Sequence, residues 1–277
     1  MASKKIAFQG ERGAYSEVAA RELAGKSITP VPCDTFDTLF DKVHRKQADL
    51  GVIPIENSLI GSIHKNYDLL LDHELKVIGE VQLRVSHALI APPGIPFKRI
   101  SKVYSHPMAL EQCRKFFKKH KTIAPISYYD TAGAVKMLAQ SGLTNSAAIA
   151  SPFAAQIHKM KILHKAIEDE KHNYTRFLLL SRTAVKLRGR AKTSIVFSLK
   201  SEPGALFKAL SVFALRNIDL TKIESRPSRK KAWQYYFYVD FEGDIKEERV
   251  NHALDHLAEI THFIKKLGSY PHRVEGL

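Results

Sequence analysis

Residues 173–177, Asn-Tyr-Thr-Arg-Phe, place a hydroxyl and a guanidinium side by side, just before the apolar residues 178–180. A short apolar run bounded by polar residues is typical of a buried strand, and ligands of open α/β sheets usually bind at strand ends. Arg176 could therefore hold a carboxylate through two parallel hydrogen bonds, while Thr175 offers its hydroxyl to the same ligand. Taken alone, the two residues favour ordinary roles, a turn cap for Thr175 and a surface ion pair for Arg176.

Three short polar residues follow a second predicted strand. Residues 51–55, Gly-Val-Ile-Pro-Ile, form a bounded apolar run, which predicts a buried strand that leads to Glu56, Asn57 and Ser58. Side chains at a strand end could hydrogen-bond a ligand. The alternative is a turn or a helix cap, because Asn and Ser are common in both.

A third group of polar residues surrounds a short strand predicted at residues 103–104. Ser105 follows this strand, and Gln112 lies about two helical turns further on, so both could face one cleft. Ser105 and His106 are adjacent, but adjacency alone does not create a catalytic dyad. Asp130 and Thr131 are predicted to cap the start of another helix.

The elements that carry these residues alternate between strands and helices, which indicates an α/β fold. A strand over residues 5–8 precedes Gly10 and Gly13, and a helix follows from about residue 14 or 15 to residue 23. Two glycines before a helix could cradle an anion on backbone amides. The third glycine of a dinucleotide-binding fingerprint is missing, so we reject a Rossmann domain. Residues 77–91 form a long strand-like segment that could cross between two lobes.

A basic stretch over residues 182–192 predicts an exposed linker. The pattern then changes to strand, helix, strand, strand, helix, strand, with strands predicted at residues 193–199, 218–225, 233–241 and 263–269. Strict alternation in the third strand places five side chains on one face: Trp233, Tyr235, Phe237, Val239 and Phe241. The helices carry apolar stripes, formed by Ala205, Leu206, Ala209, Val212 and Phe213, and by Val250, Ala253, Leu254, Leu257 and Ile260. This is a ferredoxin-like βαββαβ unit, whose exposed strand edges invite pairing with a second copy.

Two turns of this unit could bind a ligand. Glu202-Pro203-Gly204-Ala205-Leu206 makes a tight strand-to-helix turn, and its free helix-start amides suit a carboxylate. Glu224-Ser225-Arg226-Pro227 closes the second strand of the unit. Each of these sequences alone favours ordinary turn chemistry.

The chain has 277 residues, 44% of them hydrophobic, and a formal net charge of +15. Nucleic-acid binding would explain the charge, but the sequence has no zinc finger, no basic region with heptads and no aromatic RNA-binding motif. The basic clusters at residues 114–121, 182–192 and 226–231 favour a solvated surface instead, and attraction of small anionic substrates is a weaker interpretation. We predict no nucleic-acid partner.

Membrane insertion, disulfides and metal binding are also disfavoured. No stretch approaches the roughly 18 apolar residues that cross a bilayer, and we expect no signal peptide. Two cysteines, Cys33 and Cys113, imply neither a disulfide framework nor a zinc site, and Cys113 suits a helical core position. The thirteen histidines show no metal-binding spacing on any predicted helix. We therefore predict a cytoplasmic protein without a metal and without membrane association.

Together these pieces resemble a monofunctional prephenate dehydratase with a C-terminal ACT regulatory domain. The resemblance covers nearly the whole chain in the family's order. Its motifs are residues 10–17, Pro54-Ile55-Glu56-Asn57-Ser58, Ser105-His106-Pro107, Gln112-Cys113, Asp130-Thr131-Ala132, Thr175-Arg176-Phe177, Gly204-Ala205-Leu206 and Glu224-Ser225-Arg226-Pro227. Met108 departs from the family, which usually has Gln at that position. We expect no chorismate mutase segment and hence no bifunctional form.

The resemblance implies a fold of the α/β class with two domains. Residues 1–185 would form a catalytic region with two lobes, similar to type II periplasmic binding proteins, with the site in the cleft between the lobes. Residues 186–192 would be a linker, and residues 193–277 a ferredoxin-like βαββαβ ACT domain.

The resemblance also implies a reaction in L-phenylalanine biosynthesis, the loss of water and carbon dioxide from prephenate to give phenylpyruvate, without a cofactor or a metal. Arg176 would anchor a carboxylate. Thr175 would donate a hydrogen bond to the leaving hydroxyl, as the family assigns this Thr. The remaining polar lining of the cleft would come from Asn57, Ser58, Ser105, Gln112 and Thr131.

In the ACT domain, the resemblance implies that L-phenylalanine binds between two units of a dimer, near Gly204-Ala205-Leu206 and Glu224-Ser225-Arg226-Pro227. Feedback inhibition would follow if phenylalanine binds a less active state better. The family usually assembles as dimers that pair into homotetramers. We predict that Arg226→Ala weakens inhibition by phenylalanine while leaving most of the activity.

Two alternatives remain at this point. An arogenate dehydratase would perform the same chemistry on an aminated substrate and give phenylalanine directly. A two-lobed amino-acid-binding sensor with the same fold would bind its ligand without turnover. Turnover rates on prephenate and on arogenate distinguish a prephenate dehydratase from an arogenate dehydratase. Binding of a ligand without turnover would identify the sensor.

Overall fold

The computed structural model describes residues 3–229 and 233–272 of the chain. Its strands, in chain order, are β1 (Lys4–Gln9), β2 (Ile28–Cys33), β3 (Leu50–Asn57), β4 (Gly61–Ser62), β5 (Lys76–Arg84), β6 (Ala88–Ala91), β7 (Lys102–Ser105), β8 (Ala124–Ser127), β9 (Ser146–Ala150), β10 (Lys161–His164), β11 (Tyr174–Ser181), β12 (Ala191–Leu199), β13 (Leu220–Pro227), β14 (Tyr235–Glu242) and β15 (Thr261–Pro271). Its α-helices are α1 (Tyr15–Ala24), α2 (Phe36–His44), α3 (His64–Asp72), α4 (Pro107–Glu111), α5 (Arg114–Lys119), α6 (Thr131–Ser141), α7 (Pro152–Ile157), α8 (Ala205–Ala214) and α9 (Glu248–Ile260). Within the described ranges, no helix has both the length and the apolar character that a membrane span requires.

Three sheets organise these strands. The first has the order β2-β1-β3-β11-β5, with β4 beside β3, and β1 pairs in parallel with both β2 and β3. The second sheet has the order β10-β6-β9-β7-β8, and the third has the order β13-β14-β12-β15. The first two sheets and their helices form the two lobes of an α/β region, which confirms the predicted fold class.

The strand-like segment predicted over residues 77–91 is divided between two sheets. β5 ends at Arg84 in the first sheet, and β6 begins at Ala88 in the second. Residues 85–87 therefore carry the chain from one lobe to the other, as predicted. His87 lies in this crossing and is only 2% exposed.

The chain divides into two compact units. One comprises the residues up to 63 together with residues 81–177, and the other comprises residues 64–80 together with the residues from 178 onward. The division runs through β5 and β11, and the second unit contains α3 as well as the third sheet. Residues 182–190 form neither helix nor strand, and β12 begins at Ala191, so the last two residues of the predicted linker, 191 and 192, belong to a strand.

Close packing explains the glycines before α1. Gly13 has φ +92°, and a Cβ atom at this position would lie 2.6 Å from the Cα atom of Ala154, so only glycine fits. The backbone N–H of Gly13 donates to Glu17 Oε2 at 2.9 Å, and that of Gly10 donates to Cys33 O at 2.9 Å. Both amides are already used within the protein, so the anion cradle that the sequence suggested does not form here.

The third sheet and the helices α8 and α9 form the predicted ferredoxin-like unit. Its core combines the inward faces of the sheet and both helices and contains Ile195, Phe197, Ala209, Val212, Phe213, Ile218, Val239, Phe241, Val250, Ala253, Leu254 and Leu257. Three residues predicted to point into this core are exposed: Leu206, Trp233 and Tyr235. Trp233 precedes β14 and has φ +63°, and Tyr235 is the first residue of the strand, so the face that packs on the core begins at Phe237.

Candidate active site

Ser58, the residue after β3, is hydrogen-bonded to the start of β11, the strand that lies beside β3 in the first sheet. The backbone N–H of Ser58 donates to Tyr174 O at 2.8 Å. Its hydroxyl accepts from the Tyr174 N–H at 2.9 Å and donates to His172 O at 3.0 Å. Ser58 Oγ thus uses its hydrogen and a lone pair within the protein. These bonds position the strand that carries Thr175.

Asn57 is the last residue of β3, is 6% exposed, and is fully engaged. Its Oδ1 accepts from the backbone N–H groups of Leu59 and Ile60, at 3.0 and 3.1 Å. Its Nδ2 lies 2.7 Å from Asn173 Oδ1, 2.9 Å from Thr175 Oγ1 and 3.1 Å from Tyr174 O. An amide nitrogen has two hydrogens, so both are used by the protein. Asn57 therefore orients two neighbouring side chains instead of contacting a ligand.

Thr175 presents the hydroxyl that the sequence singled out. It is 8% exposed, and its Oγ1 accepts from Asn57 Nδ2. Among the described residues, this is the hydrogen bond that the Thr175 hydroxyl makes. The hydroxyl accepts in it, so its own hydrogen is not used. Arg176 is half-buried and Phe177 is buried. Successive side chains of a strand point to opposite faces, so a ligand that contacts both Thr175 and Arg176 must lie at the end of β11.

Gln112 ends a buried chain of hydrogen bonds between the lobes. His87 Nε2 lies 2.9 Å from Gln112 Oε1, and His87 Nδ1 lies 3.0 Å from Tyr15 Oη, which is also 2.8 Å from Ser86 O. Burial lowers the pKa of His87 despite its bond to Gln112 and the nearby Glu168 carboxylate, so the ring is neutral near pH 7. A neutral imidazole donates through one nitrogen only. If the Tyr15 hydroxyl donates to His87 Nδ1, the ring proton is on Nε2 and donates to Gln112 Oε1. If the hydroxyl donates to Ser86 O instead, the ring proton can be on Nδ1, and Nε2 then accepts from the Gln112 amide.

A cavity of about 600 Å³ opens beside these residues. Its lining is apolar at Leu59, Ile60 and Met108, cationic at Arg114, Lys115 and Lys118, acidic at Glu111, Glu168, Asp169 and Glu170, and amide-bearing at Gln112 and Asn173. The three cations of this lining face four carboxylates, so the cavity has no net positive charge. Its apolar wall and its two amide side chains suit a small organic ligand, but the attraction of anionic substrates that the overall charge suggested has no counterpart in this lining.

Ser105 and Thr131, also predicted as site residues, occupy different settings. Ser105 is fully buried, and its hydroxyl donates to Ile149 O at 2.6 Å. His106 Nδ1 accepts from the Met108 N–H at 3.2 Å, so Ser105 and His106 do not pair, as predicted. Thr131 begins α6, which Asp130 caps by accepting from the Gly133 N–H at 2.7 Å. In the described residues, no hydrogen bond joins Ser105 or Thr131 to the group around Thr175.

Three functional candidates were missing from the predicted site: Asn173, His87 and Tyr15. Asn173 stands two residues before Thr175, and the period of two in a strand could have placed both on one face. His87 carried no such signal, because residues 77–91 were predicted as one continuous strand.

The residues predicted to bind an effector fall into two groups. Ala205 and Leu206, at the start of α8, line a cavity of about 550 Å³ together with Leu199, Lys200, Ser201, Glu202, Pro203, Trp233, Gln234, Tyr235, Phe237 and His262. Gly204 precedes the helix with φ +76°, which favours glycine. Exposed Leu206 and Trp233 belong to this cavity rather than to the core.

The second group lies on β13. Arg226 Nη2 donates to both carboxylate oxygens of Asp68, at 3.2 and 3.1 Å, and both side chains are largely buried. Glu224 lies 3.3 Å from His64 Nε2, while Ser225 and Pro227 are exposed. Among the described residues, none of these four lines the cavity beside α8.

Comparison with known proteins gives consistent results for both parts of the chain. Residues 6–185 match the family model for prephenate dehydratase, and residues 193–255 match the ACT domain. The chain is 49% identical to arogenate dehydratase/prephenate dehydratase 2, chloroplastic, of Arabidopsis thaliana, over 96% of this chain and 72% of that protein.

Two solved structures are similar along nearly the whole chain. One is prephenate dehydratase from Arthrobacter aurescens in complex with L-Phe, with 30% identity and a TM-score of 0.88, covering 97% of this chain and 90% of that one. The other is described as GqqA, a novel type of quorum quenching acylase, with 34% identity and a TM-score of 0.89, covering 97% of this chain and 98% of that one. The match of residues 6–185 and the 49% identity to the plant relative show that this chain, a lyase, belongs to the prephenate dehydratase family.

Proposed function

We propose that the protein converts prephenate to phenylpyruvate, with Thr175 and Arg176 at the reacting substrate. The observation that carries this proposal is the Thr175 hydroxyl, whose lone pair is used by Asn57 Nδ2 at 2.9 Å while its hydrogen remains for a ligand. A hydroxyl fixed in this way is a donor directed at an acceptor, which is what departure of a hydroxide from the substrate requires.

The reaction needs few protein groups, because formation of the aromatic ring drives it. The C–C bond to the ring carboxylate breaks, its electron pair enters the ring, and the hydroxyl at the opposite ring position leaves with its own electron pair. One proton is taken up, so the prephenate dianion and a proton give the phenylpyruvate anion, carbon dioxide and water. The enzyme must hold the carboxylate in line and stabilise the charge that grows on the leaving oxygen.

We propose a separate role for each side chain. Thr175 donates to the leaving hydroxyl, and because an alcohol is a weak acid, its contribution is positioning and electrostatic. Arg176 anchors a carboxylate at the end of β11. Gln112 presents its amide to the cavity in an orientation set through His87. Asn57 and Ser58 position β11 without contacting the substrate.

Ser105 and Thr131 stay in the proposed polar lining as predicted positions. Ser105 reaches the ligand only if its hydroxyl leaves Ile149 O. Thr131, at the first turn of α6, has its backbone at a helix N-terminus, where an anionic group is stabilised.

Arogenate is the second candidate substrate. The plant relative bears the name of both activities, and prephenate and arogenate differ only by a ketone against an amine at one end. The ring carboxylate and hydroxyl, on which the roles of Thr175 and Arg176 depend, are common to both. Relative kcat/KM values on the two acids decide between them.

Acyl hydrolysis is less well supported, although one similar structure is described as an acylase. An acylase needs an activated nucleophile or a metal-bound water. The Ser105 hydroxyl is buried and bonded to a backbone carbonyl. Burial raises the pKa of the Cys113 thiol, so it stays protonated and unreactive.

We further propose that L-phenylalanine inhibits the enzyme through the ferredoxin-like unit. The cavity beside Ala205 and Leu206 has apolar walls and a helix start, which suit an amino acid with an aromatic side chain. The similar structure from Arthrobacter aurescens is a complex with L-Phe. Assembly into a homodimer or homotetramer through this unit, the domain division at residues 185 and 193, and a cytoplasmic location remain predictions. The plant relative is named as chloroplastic.

The test is phenylpyruvate formation from prephenate by the wild type, Thr175→Val and Thr175→Ser. Loss of one such donor lowers kcat by about 100- to 1,000-fold, so Thr175→Val should fall by that amount, and Thr175→Ser, which keeps the hydroxyl, by less than about tenfold. Equal loss in both variants would contradict the role of the hydroxyl. If the wild type turns over neither prephenate nor arogenate yet binds them, the amino-acid-binding sensor is the better description.

A further inference from the structure

The Asn57 side chain has only one possible orientation. Two backbone N–H groups, of Leu59 and Ile60, point at one end of its amide, at 3.0 and 3.1 Å. That end must be the oxygen, because only an oxygen accepts. The other end is therefore the NH₂ group, and it donates towards Asn173 and Thr175.

This orientation fixes Asn173 in turn. Its amide atom nearest to Asn57 Nδ2, at 2.7 Å, must be an acceptor and is therefore Oδ1. The opposite end is an NH₂ group with two hydrogens to donate. Asn173 is only 1% exposed, and its Nδ2 has no hydrogen-bond partner in the part of the chain that the structure describes. A buried donor without a partner is costly, by about 1–3 kcal/mol, and calls for an explanation.

The position of Asn173 supplies that explanation. It lines the 600 Å³ cavity beside Gln112, with Arg114 and Lys118 at the rim. Asn173 and Thr175 are two positions apart, which along an extended chain is roughly 7 Å, and both side chains meet the same nitrogen of Asn57. The chain thus holds two hydrogen-bond donors on one face, oriented by one residue.

We propose that Asn173 binds the substrate directly, its side-chain N–H donating to a carboxylate oxygen of the cyclohexadiene acid. This inference rests on the proposed function and holds for prephenate and arogenate alike, since both carry the ring carboxylate. A carboxylate is the strongest acceptor on either acid, and it lies across the ring from the hydroxyl assigned to Thr175.

Asn173→Asp isolates the donor. The new side chain keeps an oxygen for Asn57 Nδ2 but replaces the NH₂ group by a carboxylate oxygen. A hydrogen bond to a charged group contributes about 1.5–3 kcal/mol, so kcat/KM at pH 8 should fall at least about tenfold. Position 173 is only 1% exposed, and burial raises the pKa of a carboxyl group. Lowering the pH to 5.5 should therefore protonate a growing fraction of the new side chain, which is then a donor again, so the ratio of variant to wild type should rise.

Tyr174→Phe is the matched control, because it alters the residue between the two donors, whose side chain is exposed, and should stay within about threefold of wild type. All three proteins are assayed with prephenate and with arogenate, and their melting temperatures are compared. An unchanged kcat/KM in Asn173→Asp, or a deficit that is the same from pH 5.5 to 8, overturns the inference while wild-type turnover leaves the proposed function intact. No wild-type turnover on either acid refutes the proposed function and this inference with it.

Discussion

Replacing the NH₂ group of the Asn57 side chain by an acceptor is expected to abolish most activity while leaving the protein folded. Asn57→Asp keeps an oxygen for the N–H groups of Leu59 and Ile60. The second oxygen replaces the NH₂ group, 2.7 Å from Asn173 Oδ1 and 2.9 Å from Thr175 Oγ1. The Thr175 hydroxyl can rotate and donate to it, and the Asn173 amide can turn over and do the same. Both donors then point towards residue 57 and are no longer available to a ligand.

The size of the effect follows from the number of donors withdrawn. Each hydrogen bond to a charged group contributes about 1.5–3 kcal/mol, so losing two removes about 3–6 kcal/mol of transition-state stabilisation if they are independent. Neighbouring groups held by one residue are not independent, which lowers this figure to about 3–4 kcal/mol, a loss of about 100- to 1,000-fold in kcat/KM. Stability should change little, by about 1–2 kcal/mol, because the new oxygen still finds two donors.

The assay combines steady-state kinetics on prephenate with urea unfolding. The control is Asn145→Asp, the same chemical change at an exposed position whose Nδ2 bonds Ser101, and it should leave kcat/KM unchanged. Asn57→Ala is the contrasting variant, because it leaves two backbone N–H groups and two buried acceptors without their partner. It should lower the free energy of unfolding by more than Asn57→Asp does. If Asn57→Asp keeps kcat/KM within threefold of wild type, the two donors are not oriented by Asn57 and the reasoning is wrong.

Two further predictions concern buried groups elsewhere. Burial lowers the pKa of His87, so below about pH 6.5 the unfolded chain binds a proton at this residue while the folded protein does not. The free energy of unfolding therefore falls as the pH falls, by up to about 1.4 kcal/mol per pH unit. His87→Gln should lose less free energy of unfolding between pH 7.5 and 5.5 than the wild type in urea titrations; an equal loss would contradict this. Arg226→Ala should weaken inhibition by phenylalanine while leaving most activity, and Asp68→Asn, which frees the Arg226 guanidinium from its ion pair, should strengthen it if that guanidinium binds the effector. Inhibition curves that both variants leave unchanged would exclude Arg226 from the effector site.

Local patterns were sufficient to predict the elements. Asp130 caps a helix as expected, accepting from the N–H group of Gly133. The period-two stripe on β14 holds at Val239 and Phe241, which are fully buried. These features depend on neighbours within a few residues, so the sequence contains all the information that decides them. The stripe fails at Trp233, because an alternating sequence does not show where the strand begins.

The site residues were predictable as positions but not as roles. Asn57 and Thr175 are 118 positions apart, and Asn57 and Asn173 are 116 positions apart, and only the pairing of β3 with β11 brings them together. Residue type limits what a side chain can donate or accept, yet its function depends on the hydrogens and lone pairs that the protein leaves unused. Ser105 illustrates the limit, since a hydroxyl suited to a ligand is committed to Ile149 O.

The hydrogen-bond donors that the protein leaves unused also support one kind of ligand. The Asn173 amide lines the cavity and has hydrogens without a partner among the described residues, and the Thr175 hydroxyl, two positions further along the chain, keeps its own hydrogen. A ligand that supplies oxygen acceptors at opposite ends of a ring satisfies both donors at once, whereas a cationic or purely apolar ligand leaves the Asn173 amide buried and unpaired. The ligand that we propose, a hydroxylated ring acid, offers such acceptors and would pair with the donors that the protein leaves unused.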